Sequence, residues 1–148
     1  MPWMVAIVKK NANDTGHCSA SLVTPKFIIS AAHCFEDDRK ESFEVVLGTD
    51  FLKIHFSNFQ NYQKRLEIAK LHIHPDYKRG TYNDFAIIEL STQVTYGVGI
   101  YPICLPQTET KTVQSGQLVT VVGYGKTRYV MVYSKLNSGM KIFIFLLV

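Results

Sequence analysis

The chain has 148 residues, 47% of them apolar, 19% charged and with a net charge of +4. That size suits one globular domain able to bury about two-thirds of its unfolded surface. The Lys and Arg residues are scattered, adjacent only in isolated pairs such as Lys9-Lys10, so no basic stripe supports nucleic-acid binding.

Trp3 to Val8 is a short apolar run and reads as a strand. Met4 to Val8 is too short for the apolar core of a signal peptide, and Lys9-Lys10 follow it. Asn11 to Gly16 has the chemistry of a turn, dense in Asn, Asp and Gly. His17 to Thr24 resumes a strand with small side chains. Pro25-Lys26 turns it, and Phe27 to Ser30 is its hairpin partner. Glu36 to Glu41 is a charged surface loop, and Phe43 to Leu47 returns to strand.

Lys53 to Ser57 alternates at the period of a half-buried strand, and Ser57 to Gln63 reads as an exposed turn. That loop has no acidic residue, so it does not suit calcium. Leu66 to His74 alternates in part and ends at Pro75-Asp76. His72-x-His74 places two imidazoles on one strand face without a third ligand, so no metal site is expected. Asp84 opens the strand Phe85 to Leu90, and Leu118 to Val122 is a further strand closed by Gly123-Tyr-Gly125. The pattern is all-β: six or seven short strands with turn signals between, as in an antiparallel barrel or sandwich. The seven apolar residues Ile142 to Val148 fall well short of the ~20 that a membrane-spanning helix needs.

Two positions carry chemistry. His33 lies just past a buried strand in Ser30-Ala-Ala-His-Cys34, and an imidazole exchanges protons near working pH. Asp84, at the mouth of an apolar strand, is a carboxylate in need of a donor, and an imidazole N–H is a suitable one.

Cys18-Ser-Ala-Ser-Leu-Val, Ile29-Ser-Ala-Ala-His-Cys34 and Asn83-Asp-Phe-Ala-Ile-Ile-Glu-Leu90 together resemble the trypsin/chymotrypsin family of serine proteases. Pro2 to Ile7, Tyr101-Pro-Ile-Cys-Leu-Pro106 and Val121-Val-Gly-Tyr-Gly125 follow the same order, with Tyr124 for the usual Trp. The resemblance covers residues 1–127 and implies a six-stranded antiparallel Greek-key barrel, the first of the two barrels of the chymotrypsin-like fold. It implies His33 as general base and Asp84 as its orienting carboxylate. It also pairs Cys18 with Cys34, closing a loop for which a disulfide contributes about 3 kcal/mol. Such a bond implies an oxidising, extracellular setting. Cys104 is then free, joined to another chain, or without the upstream segment that family members bond to it.

Residues 128–148 look unlike the family and form a divergent apolar tail. No Gly-Asp-Ser-Gly stretch occurs in the sequence. The chain is therefore expected to be a serine endopeptidase by family, needing no cofactor and acting on protein or peptide, yet inactive as it stands. The alternative is a non-catalytic homologue serving as a secreted binding module.

Overall fold

A computed structural model describes residues 1–10, 16–36, 39–49, 63–80, 82–105, 118–124 and 140–146. The expected strand at Lys53 to Ser57 and most of the turn after it lie outside the described residues, as does most of the 128–148 tail.

Eight strands are described: β1 (Met4–Lys9), β2 (Gly16–Leu22), β3 (Phe27–Ser30), β4 (Phe43–Leu47), β5 (Lys64–Ile73), β6 (Ala86–Leu90), β7 (Leu118–Tyr124) and β8 (Met140–Leu146). Two single 3-10 turns, Ala32–Phe35 and Lys40–Ser42, are the only helical pieces among the described residues. The first six strands close into an antiparallel barrel in the order β1-β2-β3-β6-β5-β4. These strands thus make two three-stranded meanders joined at both edges, leaving the barrel itself no free edge for another chain to extend.

Alternation explains the barrel interior. On β6, Ala86, Ile88 and Leu90 point inward and are fully buried, while Ile87 and Glu89 face out. Val5 and Ile7 of β1, Leu22, Ile28, Phe43, Val45 and Leu47 join them in one core. Phe35 meets Phe43 edge-to-face at 5.3 Å, which ties the first 3-10 turn to β4. The buried hydroxyl of Ser30 is satisfied: its Oγ donates to the Ser19 carbonyl at 3.2 Å.

β1 does not alternate, because both of its faces are covered. Its outward residues Met4, Ala6 and Val8 pack with Val46 and Tyr124 in a second cluster. β7 reaches the barrel through small residues. The Tyr124 N–H donates to Ser19 Oγ at 2.7 Å, and the Tyr124 hydroxyl donates to the Thr49 carbonyl. A Cβ on Gly123 would lie 3.0 Å from Ser19 Oγ, so a larger side chain there must displace the hydroxyl that holds Tyr124. Gly123→Ala is expected to lower stability by about 1–3 kcal/mol in chemical denaturation, the usual cost of overpacking. β8 pairs with β7 along its whole length, from Leu118 opposite Leu146 to Tyr124 opposite Met140. The part of the apolar run from Ile142 to Leu146 is therefore a strand in a two-stranded sheet.

Candidate active site

β3 and β6 are neighbours, with Ser30 opposite Ala86. Being antiparallel, β3 ends at the barrel rim where β6 begins. Three residues beyond Ser30 is His33, and two before Ala86 is Asp84. Sheet register alone brings the two segments together.

Local structure then aims each side chain. After β3 the chain stays extended at Ala31, with φ −91° and ψ 144°, and folds into the turn Ala32–Phe35. Ala32, Cys34 and Phe35 are buried and His33 is exposed, so the turn is anchored by the neighbours of the histidine. Cys34 is bonded to Cys18 of β2, with Cα atoms 6.2 Å apart. On the other side, Asn83 takes the left-handed conformation at φ 56°, which Asn tolerates better than most residues. The Phe85 N–H donates to the Asn83 carbonyl at 2.7 Å, closing a three-residue turn centred on Asp84.

The two carboxylate oxygens of Asp84 serve two donors of one residue. Oδ1 accepts the His33 backbone N–H at 2.9 Å, and Oδ2 lies 2.6 Å from Nδ1. The bond to the imidazole, and next the bond to the backbone N–H, hold the Asp84 carboxyl below the usual carboxylate range. Both side chains remain partly open to solvent, His33 at 57% and Asp84 at 42%. An ionised carboxylate can only accept, so the neutral imidazole carries its proton on Nδ1. Nε2 is left with a lone pair; it lies 3.7 Å from Cys34 Sγ. This arrangement can take a proton at Nε2 and stabilise the resulting imidazolium.

Three further residues gather beside the pair. Glu36, which caps the histidine turn, accepts the Tyr77 hydroxyl on Oε1, and its Oε2 lies 2.7 Å from Arg79 Nε. They line a cleft of about 420 Å³ with Ala32, Phe35 and Ile73. The Glu36 carboxylate, by accepting the phenol proton, pushes Tyr77 up to about 12. Sequence reasoning put Glu36 in a solvated charged loop, and nothing in the spacing marks its partner 41 residues away.

Among the described residues, His72 and His74 do not join this site. His72 Nε2 lies 3.9 Å from Glu89, and His74 Nδ1 accepts the Asp76 N–H at 3.1 Å. Cys104 is exposed and unpaired. Among the described residues no helix is long and apolar enough to cross a membrane.

Comparison with known proteins agrees with this fold. The Trypsin family profile matches residues 1–141. The chain is 36% identical to the Suppressor of tumorigenicity 14 protein homolog of Bos taurus, over 86% of this chain and 15% of that protein. It is 32% identical to a venom serine protease of Polistes dominula, over 76% of this chain and 41% of that one. It is 31% identical to the CLIP domain-containing serine protease B14 of Anopheles gambiae, over 71% and 33% respectively. The chain thus spans less than half the length of each of these relatives. A closed barrel, a clamped histidine against a carboxylate, and a family match over nearly the whole sequence lead to one conclusion: the chain belongs to the trypsin family of serine proteases and carries the N-terminal part of its domain.

Proposed function

We propose that this chain supplies the proton-handling half of a serine endopeptidase. His33 is the general base that takes the proton of a serine nucleophile at Nε2 and returns it to the leaving amine. Asp84 fixes the Nδ1–H tautomer and stabilises the imidazolium. The Cys18–Cys34 bond clamps the histidine turn to β2. The observation that carries this reading is the paired contact of Asp84 with both the ring and the backbone of His33. The substrate is protein or peptide, cut by acyl transfer to the serine and then hydrolysis, with no cofactor.

The nucleophile, the oxyanion donors and the pocket that reads the substrate side chain belong, in this family, to a second barrel. Val98, Tyr101 and Leu105 are exposed apolar side chains, as expected of a barrel built to meet another one. The disulfide favours an oxidising, extracellular setting, and exposed Cys104 is available for a disulfide to another chain.

A base and its orienter without a nucleophile and oxyanion donors do not hydrolyse peptides at a useful rate. The 148-residue chain alone is therefore expected to be inactive on fluorogenic substrates with Arg or Phe at the cleavage position. Joined to a serine-bearing second barrel, it is expected to turn them over in a His33-dependent way. Turnover by the chain alone that His33→Ala abolishes would refute the reading.

A further inference from the structure

The loop that delivers Asp84 is tied to the histidine turn at two places. One is the His33–Asp84 contact itself. The other is Glu36, three residues past His33, which holds Tyr77 and Arg79. Between the two ties the loop is braced by its own backbone and one side chain. The Tyr77 N–H donates to the His74 carbonyl at 3.0 Å, Lys78 N–H to the Tyr82 carbonyl at 3.2 Å, and Asn83 Nδ2 to the Asp76 carbonyl at 3.2 Å. A loop braced in this way moves as a unit, so whatever fixes Tyr77 also limits where Asp84 can go.

We propose that Glu36 is a positioning residue for the His33–Asp84 pair, acting through its bond with the Tyr77 hydroxyl. The inference rests on the reading of His33 and Asp84 as the proton-handling pair. It assigns the effect to one of the two partners of Glu36. Arg79 is 72% exposed, and an ion pair that open to water contributes little. The phenol–carboxylate bond is charge-assisted and part-buried, with the Glu36 side chain only 15% exposed, which makes it the stronger tie. Without it the loop keeps its internal bracing but can lift from the histidine turn, and the Asp84 oxygens lose register with Nδ1 and the backbone N–H together.

The test uses the full 148-residue chain labelled with ¹⁵N. NMR at neutral pH reads the rate at which the His33 Nδ1 proton exchanges with water. Glu36→Ala and Tyr77→Phe are each expected to speed exchange about tenfold, the size of one lost charge-assisted bond. Glu36→Gln keeps most of the protection, because its amide oxygen still accepts the phenol. Arg79→Ala stays within about twofold of wild type. NMR titration of the Tyr77 ring, assigned by its loss in Tyr77→Phe, shows that the tie is cut, its ionisation falling from about 12 toward the ordinary value of about 10 in Glu36→Ala.

Glu89→Gln, which breaks the Lys26 ion pair, is the control for general loosening. Unchanged exchange in Tyr77→Phe, and in Glu36→Ala with Tyr77 ionising near its ordinary value there, overturns the proposal. Equal acceleration in Glu89→Gln overturns it too. Absence of a protected Nδ1 proton in the wild-type chain instead removes the His33–Asp84 reading on which the proposal stands.

Discussion

Asp84→Asn, in a form of this chain joined to a serine-bearing second barrel, is expected to lower kcat by about 10⁴ while leaving the barrel folded. The magnitude is that known for the Ser-His-Asp triad, and the structure supplies its cause. Asp84 Oδ2 faces Nδ1 at 2.6 Å and, being held ionised, forces the proton onto that nitrogen. An amide in its place can offer an N–H there. The ring then keeps its bond by moving its own proton to Nε2, the atom that must accept from the nucleophile. The substitution is nearly isosteric, so the loss falls on kcat and not on substrate binding. A fall smaller than about tenfold would mean that the carboxylate does not set the tautomer.

Acid should act on the same contact. The Asp84 carboxyl titrates below its unfolded value, so its contribution to stability is present above the ordinary carboxylate pKa of about 3.9. That contribution is lost as pH falls through the lower folded value. Asp84→Asn removes this component of acid sensitivity.

The second large effect concerns the clamp. Replacing Cys18 and Cys34 together with Ala is expected to lower stability by about 3 kcal/mol, read from the denaturant midpoint. For a domain with about 5–15 kcal/mol in total this is a severe loss. The unfolded chain gains the freedom of a loop spanning 16 residues. The folded chain also loses a tie directly beneath His33, since Cys34 is the next residue and is buried. Ala32 and Phe35 then anchor the turn without covalent help. A loss below about 1 kcal/mol would show that their packing alone holds it.

An all-β chain was legible in short, local patterns such as the apolar alternation at Ala86, Ile88 and Leu90. The choice of a barrel and the joining of His33 with Asp84 came from the family resemblance of Ala-Ala-His-Cys and Asn-Asp-Phe-Ala, which sit at strand ends that the register brings together. Ser19, Gly123 and Tyr124 were not legible as a contact. Two of the three are small, their close approach leaves no periodic mark, and they lie about a hundred residues apart. The Glu36–Tyr77 tie was hidden for a related reason. A carboxylate in a run of charges reads as solvated until the fold puts a phenol against it. The pairing of β8 with β7 was not legible either. An apolar run shows that it must be covered but not by what, and only the register from Leu118 to Tyr124 answers that.

The most direct test of the central claim is the protonation state of the His33 ring in the 148-residue chain. Imidazole ¹⁵N shifts measured above the titration of the ring distinguish the two tautomers. The account predicts that Nδ1 carries the proton and that Asp84→Asn shifts the balance toward Nε2. A ring that is mainly Nε2-protonated in the wild-type chain, as a free imidazole side chain would be, or one that Asp84→Asn leaves unchanged, would contradict it.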